Sequence, residues 1–104
     1  MTYNKTKEGN FELLQQKNVD TGMGLERTLA VINHLPSVFE TELLLPLIKQ
    51  LEIISKKKYE NYPRELRIIA DHLKAAIFLL SEKLEPSNVE RGYVLRRLIR
   101  RAVR

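Results

Sequence analysis

The chain has 104 residues, 18 of them basic and 13 acidic, a length that suits one small domain and excludes two. It has no cysteine, no apolar run long enough to cross a bilayer and no secretory signal in polar residues 1–10, so a soluble cytoplasmic protein without disulfides is expected. The net charge of +5 lies entirely in residues 86–104, and this predicts an anionic partner, nucleic acid ahead of a membrane surface.

The first predicted element is a β-hairpin over residues 2–14. A short strand near residues 1–3, a polar turn at 7–10 and a second strand at 11–14 match the hairpin pattern. Because two strands alone are marginal, the ribbon should pack on the helices or belong to a larger sheet. After Gly22 and Gly24, apolar residues at three- and four-residue spacing predict a helix over 25–35, ended by Pro36.

Two further helices are predicted in the middle of the chain. One covers residues 41–55, with Pro46 tolerated in its first turn and the lysines at 56–58 as a solvated stop. After a turn at 61–63, a long apolar stripe predicts a helix that Pro86 ends. The stripe consists of Leu66, Ile69, Leu73, Ala76, Ile77, Leu80 and Leu84.

The last predicted helix separates an apolar side from an arginine side. Ser87 and Glu90 have the spacing of a capping box that would open this helix. One side carries Val94, Leu95, Leu98, Ile99, Ala102 and Val103, and the other carries Arg97, Arg100, Arg101 and Arg104. The predicted fold is therefore mainly α, with an N-terminal β-hairpin followed by about four helices, and the arginine side is a candidate phosphate-binding surface.

Residues 20–27, Asp-Thr-Gly-Met-Gly-Leu-Glu-Arg, carry the most chemical information. Two glycines at the mouth of a helix allow a ligand to approach the backbone, and Arg27 one turn later adds positive charge for a phosphate. On the residues alone, a nucleotide site and a plain loop-to-helix junction both remain open.

This segment resembles motif 3 of class II aminoacyl-tRNA synthetases, in the form typical of the alanyl-tRNA synthetase family. Two later segments resemble the same family, in order and at suitable spacing. They are residues 67–72 (Arg-Ile-Ile-Ala-Asp-His), and 86–88 (Pro-Ser-Asn) followed by the arginine-rich run at 91–104. Residues 1–4 also resemble the strand that precedes motif 3, so the resemblance covers nearly the whole chain.

The resemblance implies roles in binding alanine and ATP. Asp20 would hold the ammonium group of alanine, and Gly22 would line a small pocket that excludes larger side chains. Gly24 and Arg27 would bind ATP, with Arg27 as the catalytic residue that stabilises charge while the adenylate forms. ATP with Mg²⁺ would be the cofactor of the complete enzyme, and none is assigned to this piece alone. No metal site is expected, because neither histidine has a second ligand at helical spacing.

The resemblance also implies binding to the acceptor stem of the alanine tRNA. Asn88 would read its identifying base pair, and the phosphates would be held by Arg91, Arg96, Arg97, Arg100 and Arg101. The residues alone leave open that Asn88 caps a helix and that His72 is a hydrogen-bonded structural histidine. Val89 and Glu90 stand where the family often has an acidic residue followed by glycine.

Motifs 1 and 2 of class II synthetases are absent from the sequence. We therefore expect residues 1–36 to be the end of a catalytic domain and residues 37–104 the start of a helical tRNA-recognition region. The expected function is a part in ATP-dependent alanylation of tRNA, with the isolated piece inactive and the rest of the synthetase as a partner. The alternatives are a non-catalytic RNA-binding helical module and, less favoured, a basic helix that binds acidic membranes.

Overall fold

The computed structural model describes residues 2–19 and 21–104, and it confirms a mainly α fold with an N-terminal hairpin. Strands β1 (Tyr3–Lys5) and β2 (Phe11–Leu13) come first. Four helices follow in the described residues: α1 (Leu25–Ile32), α2 (Leu45–Ser55), α3 (Pro63–Ser81) and α4 (Glu90–Val103). A 3-10 turn, Val38–Glu40, lies between α1 and α2.

The hairpin stands apart from the helices. Its strands are antiparallel, with Tyr3 opposite Leu13 and Lys5 opposite Phe11, and all six strand residues are exposed. Of the two predicted alternatives, packing on the helices is not found among the described residues, and a place in a larger sheet stays a prediction. The first strand begins at Tyr3 rather than near residue 1, and the part of the prediction that fell on Met1 lies outside the described residues.

Helix α1 ends before the predicted proline. His34 adopts a left-handed backbone conformation with φ of 53°, and the Leu35 amide donates to the Ala30 carbonyl at 2.8 Å. This is a Schellman motif, which satisfies carbonyls at the end of a helix. The prediction that the helix runs to residue 35 and is stopped by Pro36 is wrong, because His34 takes the position that glycine usually fills.

Helix α3 ends in the same way. Lys83 has φ of 61°, and the Leu84 amide donates to the Leu79 carbonyl at 3.3 Å. The helix therefore ends at Ser81, five residues before the predicted stop at Pro86. Its first residue is Pro63, which the sequence had placed in a turn and whose missing amide is harmless in the first helical turn.

Helix α2 begins four residues later than predicted. Thr41 is buried, and its hydroxyl donates to the Val38 carbonyl at 2.6 Å, which closes the 3-10 turn. The chain then makes a further turn before the helix starts at Leu45. Pro46 lies in the first helical turn, as predicted, and Lys56 ends the helix in a left-handed conformation.

Two groups of buried side chains hold the helices together. Ile48 of α2 is fully buried and clusters with Leu66 and Ala70 of α3. Around them pack Phe39, Leu47, Leu51 and Tyr59. Helix α4 packs along α3, and it buries Gly92 and Leu95.

The predicted apolar stripes are buried only in part. Leu66 and Ala76 of α3 are buried, but Ile77 and Leu80 are exposed. On α4, Leu95 is fully buried, whereas Val94 and Val103, which were predicted to face the core, are exposed. Each stripe is therefore wider than the surface of its helix that is buried.

The described chain has an extended shape. Its radius of gyration is 19.0 Å, whereas a compact domain of this length would have about 13 Å. Within residues 2–19 and 21–104, no helix combines the length and the apolar character needed to cross a membrane. The extended shape leaves two separate features open to ligands, a glycine pocket at α1 and an arginine groove between α3 and α4.

Candidate functional site

The glycine pocket forms where the chain enters α1. Gly24 is the N-terminal cap residue of this helix, with extended backbone angles, and the Thr28 hydroxyl donates to its carbonyl at 2.9 Å. The pocket has a volume of about 410 Å³ and is lined by Gly22, Met23, Gly24, Arg27, Thr28, Val31 and Ile32. A Cβ atom at Gly22 would meet nothing within 4 Å, so the space before the backbone is open to a ligand.

The structure therefore brings together three of the residues predicted to bind alanine and ATP. Gly22, Gly24 and Arg27 line one pocket, and Arg27 is exposed in the first turn of α1. Asp20, the residue predicted to bind the alanine ammonium group, lies outside the described residues. The positive end of the helix dipole and the Arg27 guanidinium both favour an anion at this position.

An ion pair links the pocket helix to α3. The Lys74 ammonium donates to the Glu26 carboxylate, and Glu26 is the immediate neighbour of Arg27. Both side chains are partly buried, and the Lys74 ammonium also lies 5.8 Å from the centre of the Phe78 ring. Helix α3 therefore contacts the helix of the glycine pocket and also borders the arginine groove.

The arginine groove lies between α3 and α4. It has a volume of about 430 Å³ and is lined by His72, Val94, Arg97, Leu98, Arg100, Arg101 and Arg104. The four arginines are exposed, as the predicted arginine side requires. Four exposed arginines that line one groove form a cationic surface, and the guanidinium group is well suited to binding phosphate oxygens.

Two of the predicted RNA-binding arginines lie outside this groove. Arg91 is exposed near the start of α4, and Arg96 is partly buried. Arg96 and Arg97 both place their guanidinium groups 5.7 Å from the centre of the Tyr93 ring. The Arg96 Nε atom is buried and has no hydrogen-bond partner within residues 2–19 and 21–104, so this side chain is less accessible than the four arginines of the groove.

Asn88 lies in the loop before α4 and is exposed. The cap residue of α4 is Val89, which has no side-chain cap bond, so neither a capping role for Asn88 nor the capping box of Ser87 and Glu90 is found. The Ser87 hydroxyl donates instead to the Val89 carbonyl at 3.0 Å, and Glu90 has φ of 48°. The Asn88 side chain makes no hydrogen bond to the part of the chain that the structure describes.

Gly92 holds this loop against α4. A Cβ atom at position 92 would lie 2.2 Å from the Ser87 Oγ atom and 2.7 Å from the Glu85 carbonyl oxygen. The Ser87 amide also donates to the Gly92 carbonyl at 3.0 Å. The loop that carries Asn88 can take this position only because residue 92 has no side chain.

A polar network joins the 3-10 turn, the segment between α2 and α3, and α3 itself. The Arg67 Nε donates to the Tyr59 hydroxyl at 2.6 Å, and that hydroxyl donates to Glu40 at 3.1 Å. Ser37 also donates to Glu40, and the Arg67 guanidinium lies 3.6 Å from the same carboxylate. This network could not be predicted from the sequence, because its hydrogen-bonded pairs are 19 and 8 residues apart and share no local pattern.

The network shifts two pKa values. Burial by itself would raise the pKa of Glu40, but the hydrogen bonds from Ser37 and Tyr59 and the charge of Arg67 outweigh it and lower the pKa. The hydrogen bond to Tyr59 and the charge of Glu40 raise the pKa of Arg67. Glu40 therefore stays ionised in the folded chain at pH values where an unfolded glutamate begins to protonate.

This predicts a loss of stability in acid. A carboxylate whose pKa is lower in the folded state stabilises the fold above its unfolded pKa, about 4.3, and this contribution disappears as the pH falls through the folded pKa. We expect Glu40→Gln to reduce the dependence of the free energy of unfolding on pH between pH 6 and 3. Urea unfolding at several pH values measures it.

The matched control is Glu42→Gln, which changes an exposed glutamate two residues away. It should leave the pH dependence close to that of the unchanged chain. An equal effect of the two substitutions would contradict the assignment of the acid sensitivity to the network.

Comparison with known proteins places the chain in a family. Residues 1–104 match the family described as tRNA synthetases class II (A), and the chain belongs to it. It is 51% identical over 109 residues to the alanine–tRNA ligase of Borrelia garinii subsp. bavariensis, covering 100% of this chain and 18% of that protein. It is 47% identical to the alanine–tRNA ligase of Oceanobacillus iheyensis, covering 98% of this chain and 12% of that one.

A third relative is the chloroplastic/mitochondrial alanine–tRNA ligase of Populus trichocarpa. It is 45% identical over 108 residues, which is 100% of this chain and 11% of that protein. The chain thus spans less than a fifth of the length of these curated relatives. The family predicted from motif 3 and the two later segments is confirmed.

Proposed function

We propose that this chain is a part of an alanine–tRNA ligase that contributes to the ATP-dependent attachment of alanine to its tRNA. The observation that carries the proposal is the combination, on one chain of this family, of a glycine pocket containing Arg27 and an arginine groove on α4. In the proposed division, residues 1–36 end a catalytic domain and residues 37–104 begin a tRNA-recognition region. The cytoplasmic location also remains a prediction.

The glycine pocket fits part of an ATP molecule. In the proposal Gly24 and the Arg27 guanidinium contact the phosphates, and Gly22 and Asp20 bind alanine. The alanine carboxylate would attack the α-phosphorus of ATP, which would form alanyl-adenylate and release pyrophosphate. Mg²⁺ is proposed for the complete enzyme.

The arginine groove fits the acceptor stem of the tRNA. The proposal assigns phosphate contacts to Arg97, Arg100 and Arg101 within the groove and to Arg91 and Arg96 on its flank. Asn88 is exposed and without an internal hydrogen bond, so its amide is available to a base edge. Contacts with phosphates supply affinity, and contacts with base edges supply specificity.

The first prediction from the proposed function is that the chain alone makes no alanyl-adenylate. Among the described residues that line the glycine pocket, Arg27 is the only cationic one, and one guanidinium does not both orient the α-phosphate and neutralise a triphosphate. ATP–pyrophosphate exchange with alanine measures this, beside a full-length alanine–tRNA ligase as the positive control. Exchange above the background without protein, abolished by Arg27→Ala, would contradict the prediction.

The second prediction concerns RNA binding through phosphates. Replacing Arg97 and Arg101 together by alanine should weaken binding to every RNA and flatten the slope of log K against log salt by about 2, because each phosphate contact releases about one counterion. Fluorescence anisotropy with an acceptor-stem hairpin at several salt concentrations measures it. The control is the double variant Lys57→Ala, Lys58→Ala, which removes the same charge from exposed residues outside the groove. Equal slopes for the two double variants would show that the groove is not the surface that binds the RNA phosphates.

Asn88 should behave differently from the arginines. If its amide reads a base edge, Asn88→Ala should leave the salt slope unchanged and reduce the preference for the cognate stem by about 1–3 kcal/mol, the scale of one base contact. The comparison uses a cognate stem and a stem with the identifying base pair swapped. A uniform loss on both stems would remove Asn88 from base recognition.

The alternative function is a non-catalytic RNA-binding module. It rests on the arginine groove alone, which does not depend on a complete ATP site. A companion gene that encodes motifs 1 and 2, whose product restores pyrophosphate exchange on mixing, would favour the synthetase. RNA binding without any such restoration would favour the module.

A further inference from the structure

His72 is the one residue of α3 that lines the arginine groove, and the other lining residues belong to α4 or, for Arg104, to its C-terminal cap. The His72 side chain is 14% exposed, and it lines the groove with Val94, Leu98 and the four arginines. From the sequence, His72 was open to interpretation as a hydrogen-bonded structural histidine. Nothing in the proposed function so far uses it.

The neighbour of His72 indicates which of its ring nitrogens is left to accept a hydrogen bond. The Asp71 Oδ2 atom lies 3.3 Å from the His72 Nδ1 atom, and a carboxylate only accepts hydrogen bonds, so Nδ1 donates. In the neutral imidazole the Nε2 atom then carries the lone pair. Within residues 2–19 and 21–104, Nε2 has no hydrogen-bond partner.

An acceptor at this place has a chemical consequence. The other polar side chains of the groove are guanidinium groups, which donate hydrogen bonds and never accept them. A ligand that forms hydrogen bonds with all of these side chains must therefore offer anionic oxygens to the arginines and a hydrogen-bond donor to His72. A phosphodiester at neutral pH has no donor, whereas the ribose beside it carries a 2′-hydroxyl.

We propose that the His72 Nε2 atom accepts a hydrogen bond from a ribose 2′-hydroxyl of the RNA whose phosphates bind the groove arginines. Val94 and Leu98 supply apolar contact for the carbon atoms of the sugar. His72 thereby makes the groove select RNA over DNA. This inference rests on the proposed binding of RNA to the groove.

The test uses the full chain and acceptor-stem RNA hairpins in which single riboses are replaced by 2′-deoxyribose, one position at a time, so that the stem keeps its A-form geometry. Binding is measured at pH 8, above the usual titration range of histidine. We expect one position at which the deoxy substitution weakens binding about 3- to 10-fold, the effect of one hydrogen bond. At the other positions the effect should be small.

Two variants separate the hydrogen bond from a structural role. His72→Phe keeps a planar ring without an acceptor, and it should bind the unmodified stem about as weakly as the unchanged chain binds the sensitive deoxy stem. For His72→Phe the deoxy substitution should have no further effect, and the salt slope should be unchanged. His72→Gln keeps an acceptor and should restore part of the sensitivity.

The outcomes distinguish this inference from the proposed function. If no stem binds at low salt, the proposed function fails and the inference fails with it. If stems bind but no 2′-hydroxyl matters, or if His72→Phe remains sensitive to the same deoxy position, the inference alone is overturned. Arg97→Ala serves as the control, since it should weaken ribose and deoxyribose stems by the same factor.

Discussion

Replacing Ile48 by alanine is expected to lower the free energy of unfolding by about 2–5 kcal/mol, a large share of the total for a chain of this size. Ile48 has 0% exposed surface and lies between α2 and α3, where it meets Leu66 and Ala70. Truncation would leave a cavity in the cluster that holds these two helices together. Urea unfolding followed by far-ultraviolet circular dichroism measures the change.

The same helix provides a matched control. Ile54 is 71% exposed, so Ile54→Ala removes the same atoms from α2 without opening a cavity. Its effect should stay within about 0.5 kcal/mol, as for other surface substitutions. Equal losses for Ile48→Ala and Ile54→Ala would show that the cluster around Ile48 does not hold the fold.

Gly92→Ala is expected to destabilise the chain by about 1–3 kcal/mol, the cost of over-packing a tight contact. In an ordinary helix the same change stabilises by about 0.5–1 kcal/mol, because glycine has more freedom to lose on folding. The sign reverses here because the new Cβ atom would lie 2.7 Å from the Glu85 carbonyl oxygen, a backbone atom that moves only with its loop. Thermal and urea unfolding measure whether Gly92→Ala lowers or raises the free energy of unfolding.

Two variants test whether the overlap of the new Cβ atom with its neighbours causes the loss of stability. Gly22→Ala places a Cβ atom in open space and should not destabilise the chain. Combining Gly92→Ala with Ser87→Gly removes the overlaps with the Ser87 side chain but leaves the backbone overlap, so it should recover only part of the loss. A stabilising effect of Gly92→Ala would contradict the close packing of the loop.

The loop also carries Asn88, so Gly92→Ala should reduce the preference for the cognate stem.

Much of the fold could be predicted from local patterns. The hairpin, the four helices and the arginine side of α4 follow from alternation, helical spacing and charge, all of which act within a few residues. The helix ends could not be predicted in this way. His34 and Lys83 take left-handed positions that sequence rules reserve for glycine, so the Schellman motifs at α1 and α3 gave no signal.

The candidate sites divide in a similar manner. Gly22, Gly24 and Arg27 are neighbours in the sequence, and their meeting in one pocket was predictable from the motif. His72 could not be placed in the arginine groove from the sequence, because its position depends on how α3 and α4 pack. Spacing also gave no means to recognise Arg96 as partly buried or Val94 as exposed, since the contact covers only part of each helix.

By itself the sequence determined the type and order of the secondary-structure elements, the family and the concentration of positive charge in the last nineteen residues, because each of these depends on residues that are close along the chain. Only the tertiary structure decided which apolar residues are buried, where Glu40, Tyr59 and Arg67 meet, and which residue of α3 lies among the arginines of α4. Those results depend on the relative placement of whole helices, which is fixed by packing at Ile48 and Leu95 and by the absence of a side chain at Gly92.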